Sequence, residues 1–321
     1  MKPTLSIIIK TLNEEKNIER CLDSVVKVAK AIDTEVILAD SLSTDKTLDK
    51  ASQYPIKIVQ LEHADDRSCG VGPQLGFQYA EGDYIYILDG DMEINPEFLV
   101  TAIAKLEANP LLAGVAGSVK EMCIENLVFK KRAQKEFKYG NVGHLAMGGL
   151  YKRKAVEDAG YFSNINLHSF EELELGLRLV AKGWTLERIN VPAVKHHGHT
   201  DTSLRLILKR LKTKYVYGYG ELIRSAMGKP YFLKTLWNAK ILLATLILWG
   251  VIAVFLINGD ITLPITIISS GMIFMTVKKR SFKEALFSVF AWHIELVGLI
   301  LGLLRQPKNT HSKIAAKVIQ K

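Results

Sequence analysis

Apolar residues are distributed in two ways along this chain. Up to about residue 200 they form short runs of strand length, separated by stretches with helical spacing; beyond about residue 236 they form long runs almost free of charge. Residues 5–9, 35–39, 56–61 and 84–88 are continuous apolar strands. Between them, 14–31, 46–52 and 72–80 have helical periodicity, and Ser43-Thr44-Asp45 has the composition of a helix N-cap. Alternation of this kind predicts an α/β fold with a mostly parallel, Rossmann-like sheet covered on both faces. Ligands of such sheets bind outside the C-terminal ends of the strands. Thr11, Asp40 and Asp89 all follow predicted strands, so one crevice can receive all three.

Helices are expected over 95–109, 130–139, 154–159 and 170–182, and strands over 115–119, 185–189 and 193–195. The character then changes. Residues 204–214 mix leucines with Arg205, Lys209, Arg210, Lys212 and Lys214, the pattern of an interfacial amphipathic helix. Residues 241–257 and 261–277 are uncharged, and each reaches about 26 Å as a helix, near the lower limit for crossing a hydrocarbon core. Asn258-Gly259-Asp260 between them suggests a transmembrane hairpin. A third segment, 285–304, is long enough to span but carries His293 and Glu295, so it reads as either spanning or interfacial. The expected organisation is a catalytic domain over 1–200, basic interfacial helices over 201–235, a transmembrane region over 236–304 and a basic tail over 305–321.

Charge sharpens this division. The chain has 321 residues and a net charge of +9. Residues 1–200 hold 24 basic and 28 acidic side chains, whereas 201–321 hold 18 and 5. The basic part is also the apolar part, which argues for anionic lipid headgroups and against nucleic acid as the partner. By the positive-inside rule, Lys229, Lys234 and Lys240 before the first span and Lys278-Lys279-Arg280 after the second put the catalytic domain in the cytoplasm of a multi-pass cell-membrane protein. Three scattered cysteines exclude a disulfide scaffold. The N-terminus reads as a buried strand, not a secretory leader.

Asp89-Gly90-Asp91 closes the fourth strand. Two carboxylates flanking one residue can share a hard divalent cation that also takes phosphate oxygens; the bland alternative is a pair of solvated turn acids. Thr11-Leu12-Asn13-Glu14-Glu15 and Asp40-Ser41-Leu42-Ser43-Thr44-Asp45-Lys46-Thr47 stand at the two preceding strand ends. Further on come Gly148-Gly149, Arg153 and Gly160-Tyr161-Phe162, then Glu171-Glu172-Leu173-Glu174-Leu175, Arg178 and Gly183-Trp184. In this order the blocks resemble the family 2 inverting nucleotide-sugar glycosyltransferases, which have the GT-A fold. The resemblance covers about residues 5–199.

The resemblance implies roles for particular residues. Thr11, Asn13, Glu14 and Asp40 would face the nucleoside, Arg67 a phosphate or the base, and Asp89 the ribose or the metal. Asp91 would be the principal ligand of Mn²⁺ or Mg²⁺, with His196 completing the site. Gly148, Gly149 and Glu171 would lie on the acceptor side. Glu172 stands where the family places its catalytic base, usually an Asp; an inverting transfer needs a carboxylate to take the acceptor hydroxyl's proton. The bland reading of Glu171, Glu172 and Glu174 is a solvated acidic turn. Pro73-Gln74 depart from the family's usual Arg-Asn.

The expected function is transfer of a sugar from a nucleotide-diphosphate donor to a lipid-linked saccharide, in cell-surface polysaccharide or glycan synthesis. The alternatives are transfer to a polyprenyl phosphate, as in dolichol-phosphate mannose synthases, or a non-catalytic membrane-docked nucleotide-binding scaffold.

Overall fold

The computed structural model describes residues 4–29, 32–123, 130, 133–134, 137–145, 148–198 and 203–321. The helix expected over 130–139 falls partly outside them; of its described residues, 130 and 133 are helical and 137–139 are not, and His199 and the expected domain boundary at 200 lie outside. The described chain divides into two compact units, 1–206 together with 307–321, and 207–306.

The first unit is built on a sheet whose central strands are the predicted apolar runs: β1 (Leu5–Thr11), β2 (Thr34–Asp40), β3 (Lys57–Leu61) and β4 (Tyr84–Asp89). They are parallel, in the spatial order β3-β2-β1-β4. Helices α1 (Ile18–Ala29), α2 (Thr47–Ala51) and α3 (Val71–Tyr79) connect them. Two buried clusters divide the strand side chains by parity. Ile7 and Ile9 pack with α1, and Ile8 packs with Leu75 of α3. Both faces are therefore covered, as continuous apolar strands require.

Helix α1 begins at Ile18, later than its periodicity suggests. The backbone N–H groups of Glu14 and Glu15 donate instead to Thr47 and Asp45, and Asn13 adopts a positive φ of 59°. Helix α4 (Pro96–Ala108) follows the sequence rules closely: Asn95 caps it by accepting from Glu97 N–H, and proline takes the first turn.

The remaining strands are mixed. β5 (Met92–Ile94), β6 (Leu112–Glu121), β7 (Gly140–Asn141), β8 (Leu150–Lys152) and β9 (Thr185–His196) extend the sheet beyond β4. β9 joins the two short strands expected over 185–195. Pro192 lies where its register with β6 shifts, so the missing N–H is accommodated at an irregularity. Helices α5 (Arg153–Asp158) and α6 (Glu171–Ala181) complete this half.

The second unit contains α8 (Gly218–Ala226), α9 (Phe232–Asn238), α10 (Lys240–Ile257), α11 (Thr262–Lys279) and α12 (Phe282–Leu304); α7 (Ser203–Lys212) leads into it. Two of them, α10 and α12, are long and apolar enough to cross a membrane. The segment 261–277, expected as the second span, is helical but is not one of the two. Thr262, Thr266, Ser269, Ser270 and Thr276 dilute its apolar character, and Lys278 and Lys279 end it.

The last residues do more than form a basic tail. They return to the first unit, where β10 (Ala316–Gln320) pairs antiparallel with β3 and covers what would otherwise be a sheet edge. The segment before β10 is pinned as well. Asn166 exchanges two hydrogen bonds with the backbone of Lys308, at 2.7 and 2.9 Å, and Gln78 exchanges two with that of Ile314, at 2.7 and 3.3 Å.

Candidate active site

Register brings the strand-end residues together. Thr11 is opposite Asp40 and Lys10 is opposite Asp89, so four polar residues occupy two successive levels at the C-terminal edge of the sheet. Thr11 Oγ1 donates to Asp40 Oδ1 at 3.2 Å. Ser43 adds its N–H (2.9 Å) and its hydroxyl (2.5 Å), and Gln60 Nε2 adds a fourth bond at 3.0 Å. Asp40 is fully buried and organises the loop after β2 through these neutral donors.

The loops after β1 and β2 are joined throughout. Asn13 N–H donates to Ser43 Oγ at 2.9 Å, while Asn13 Oδ1 accepts from Thr44 N–H at 2.8 Å. Asp45 accepts from Glu15 and Thr47 N–H and from the Thr47 hydroxyl; these bonds outweigh burial and hold its carboxyl below the usual range. Asp45 thus serves the start of α2 as a cap would, although Lys46 holds the formal cap position. Arg67, expected on phosphate or base, donates to the carbonyls of Ser41 and Leu42 at 2.8 and 2.6 Å. Gly90 sits against this assembly: a Cβ there would come within 2.8 Å of Thr11 Cγ2 and 3.0 Å of Glu14 Cγ. Only glycine lets the Asp89–Asp91 turn pack so closely on the β1 loop.

On one side of that turn, Asp91 Oδ2 lies 3.2 Å from His196 Nε2, and His196 Nδ1 lies 2.6 Å from Glu121 Oε2. Burial alone would lower the imidazole's pKa, but hydrogen bonds and charge from Asp91 and Glu121 push it up to about 9. A carboxylate orienting one ring nitrogen while the other faces the site is a common arrangement around metal-binding histidines. Among the described residues, no group of three or more His, Cys, Asp or Glu stands ready to enclose an ion. The donor set nevertheless fits a Mg²⁺ or Mn²⁺ ion that arrives with phosphates, because such ions use one or two carboxylates and take their other ligands from substrate and water.

On the other side lies Lys10. Its ammonium is 3.1 Å from Asp89 and 3.2 Å from Glu171. Burial would strip its proton, but Asp89, Glu171 and Glu172 hold it charged, well above the usual lysine range. Asp89 is itself pushed upward by burial and by Asp91, against the pull of Lys10.

Helix α6 opens with three acids in different surroundings. Glu174 is 1% exposed, accepting from Arg178 Nε at 2.9 Å and from the Tyr161 hydroxyl at 2.8 Å. Glu171 is bound to Lys10. Glu172 lines a cavity with Glu171, Lys10, Tyr151, Phe162 and Ser163. A merely solvated acidic turn does not describe this helix start. Gly148, at a φ of 73°, lies within van der Waals reach of the Tyr86 hydroxyl for any added Cβ, and the Gly149 carbonyl accepts from Ile87 N–H at 3.2 Å. Both glycines therefore flank β4.

Sequence reasoning passed over Lys10 and Glu121, and gave Gln74 no role. Lys10 had a signal, a lone charge closing an apolar strand. Gln74, in the departure from the family pattern, accepts from the N–H groups of Phe162 and Ser163 and so shapes the loop that precedes α6.

Comparison with known proteins agrees with this geometry. Residues 6–160 match the model of Glycosyl transferase family 2. The dolichol-phosphate mannosyltransferase of Pyrococcus furiosus is 28% identical over 132 residues, 40% of this chain and 37% of that protein. A Methanococcus voltae protein, dolichyl N-acetyl-alpha-D-glucosaminyl phosphate 3-beta-D-2,3-diacetamido-2,3-dideoxy-beta-D-glucuronosyltransferase, is 24% identical over 248 residues, 71% of this chain and 75% of that one. The match thus spans little more than a third of the Pyrococcus protein but three quarters of the Methanococcus one. Among solved structures, the mannosyltransferase PcManGT from Pyrobaculum calidifontis, in complex with GDP-Man and Mn²⁺, aligns with a TM-score of 0.62 at 18% identity, covering 95% of this chain and 88% of that one. At that identity the likeness speaks for the fold. The chain therefore carries a glycosyl transferase family 2 domain with the GT-A fold, followed by a series of apolar helices.

Proposed function

We propose that the protein is a membrane-anchored inverting glycosyltransferase. It moves a sugar from a nucleotide-diphosphate donor to a hydroxyl of a lipid-linked saccharide, with the catalytic unit in the cytoplasm. The observation that carries this reading is the division of labour at the start of α6. Glu171 is ion-paired with Lys10 and Glu174 with Arg178, while Glu172 lines the cavity together with Lys10 and Glu171. In this reading Glu172 accepts the proton of the attacking hydroxyl. Thr11, Asn13, Glu14, Asp40 and Arg67 form the nucleoside wall, Asp40 and Arg67 acting through the loops they hold. Gly148 and Gly149 stand on the acceptor side beside β4. A Mn²⁺ or Mg²⁺ ion held by Asp91, with Asp89 and His196 beside it, would neutralise the charge of the leaving diphosphate.

The second reading, transfer to a polyprenyl phosphate, is favoured by the likeness to the Pyrococcus mannosyltransferase. A phosphate acceptor calls for cations, and Lys10, the lysine lining this cavity, is already matched by two carboxylates. That favours a hydroxyl. Supplying purified protein with nucleotide sugars, Mn²⁺ or Mg²⁺, and either a polyprenyl phosphate or a polyprenyl-diphosphate saccharide tests both. Metal-dependent transfer to the saccharide alone is expected; transfer to the bare phosphate selects the second reading. Absence of both turnover and metal-dependent donor binding returns the protein to a non-catalytic scaffold.

A further inference from the structure

The sequence suggests that the two apolar runs separated by Asn258-Gly259-Asp260 form the hairpin through the bilayer. Packing within the second unit indicates a different pair. Leu242, near the start of α10, shares a buried cluster with Leu299, near the end of α12. Seven residues further along α10, Trp249 Nε1 donates to His293 Nε2 at 2.8 Å. The partner has moved six residues back along α12, so the two helices run antiparallel. The pairing is specific, because His293 Nδ1 lies 2.7 Å from the Val289 carbonyl and takes the proton, which leaves Nε2 to accept from the indole.

This pairing determines where α11 lies. It is joined to the end of α10 by residues 258–261 and to the start of α12 by residues 280–281. Those two ends lie at the same end of the antiparallel pair, so α11 begins and finishes on one side and does not cross. Chain connectivity gives the same result independently. The chain leaves the catalytic unit after residue 206 and re-enters it at 307, and β10 is hydrogen-bonded into the catalytic sheet. A chain whose two ends belong to one folded unit crosses a bilayer an even number of times. An odd number of crossings does not fit that return, and among the described residues α10 and α12 are the two helices whose length and composition suit a crossing.

We propose that α10 and α12 are the transmembrane pair, embedded in lipid acyl chains, and that α11 lies in the opposite leaflet as a cap on their far ends. The proposal rests on the membrane-anchored reading above but not on the transfer reaction. At about 1.5 Å per residue, the 18 and 23 residues of the pair reach about 27 and 34 Å, bracketing a hydrocarbon core of about 30 Å. Their outer surfaces suit lipid, with Ile247 67% and Leu304 75% exposed. The charge bias survives the rearrangement. Lys278, Lys279, Arg280 and Lys283 move to the far side, against nine basic residues between 203 and 240 and five more from Arg305 onward.

The test is cysteine accessibility in the full-length protein in sealed cells, using a membrane-impermeant maleimide. Asn258→Cys, Ser281→Cys and Asn309→Cys are introduced singly, and the half-buried native Cys123 reports the side of the catalytic unit. Labelling at 258 and 281 in intact cells, but at 309 only after permeabilisation, is expected. If 281 behaves like 309, α10 pairs across the membrane with α11 and the proposal fails while membrane anchoring stands. If all three positions need permeabilisation, neither pair crosses and the membrane-anchored reading fails with it. Should a single variant fold poorly, Trp249→Cys with His293→Cys and a short bis-maleimide provides a second readout. Efficient intramolecular cross-linking in membranes is expected, and its absence counts against the antiparallel pairing.

Discussion

The donor-side loops and the opening of α6 are both rich in carboxylates, yet they stabilise them by opposite means. After β1 and β2, Asp40 and Asp45 are held by hydroxyls, a side-chain amide and backbone N–H groups, all neutral donors. At α6, Glu171 and Glu174 are held by cations, Lys10 and Arg178. Neutral donors fix a loop's geometry and leave its negative charge in place, which suits a surface that must orient a nucleoside and attract a divalent ion. Cations are placed selectively: of the two acids of this helical turn that line the cavity, Glu171 is ion-paired with Lys10, and Glu172 adds to the field that keeps Lys10 charged. In the proposed mechanism, one side of the crevice supplies shape and the other reactivity.

The largest expected effect tests the reactive side. Glu172→Gln keeps size and polarity but cannot take a proton. Transfer should fall by roughly 10²–10⁴-fold, the usual contribution of a positioned base. Metal-dependent donor binding, followed by thermal shift, should be unchanged. Near-normal transfer would remove Glu172 from the mechanism. Lys10→Met should come next, because it leaves Asp89 and Glu171 close together without their shared cation. A stability loss of roughly 1–3 kcal/mol in urea unfolding is expected, less than for a fully buried pair because Lys10 keeps about a fifth of its side chain exposed. Lys10→Arg should recover most of it. An equal loss in both variants would mean that packing, not charge, holds α6 in place.

The smallest effect tests the neutral side. Asp45 has a depressed pKa in the folded protein, so its contribution to stability is complete above the unfolded value of about 3.9 and disappears as pH falls through the folded one. Asp45→Asn should cost less than about 1 kcal/mol at neutral pH and should flatten the acid limb of a stability–pH curve. An unchanged acid limb would show that the loop does not depend on that charge.

Much of the catalytic unit was legible because each signal was local. The four apolar runs became the four central parallel strands, and the acids that follow them stand at their C-terminal ends. Asn95-Pro96 marked the start of α4 through its own cap. Where the reading fell short, the missing information was a partner. The lone charge of Lys10 could be seen, but not Glu171, which lies 161 residues away. His196 was expected at the metal site, yet Glu121 on the neighbouring strand sets which ring nitrogen faces Asp91. The helical stretches after residue 236 were found, but not which of them pair, since apolar periodicity is the same whichever helix lies opposite.

By itself, then, the sequence determined the α/β class, the ordered acidic motifs and the basic, apolar C-terminal part, because hydrophobic spacing and capping chemistry act within a few residues. Only the tertiary structure decided that Asp40 and Arg67 hold the loop after β2, that the tail returns as β10, and that α10 packs against α12. These outcomes depend on strand register and on contacts between distant segments, where the free energy comes from closing the chain on itself and not from any single stretch of it.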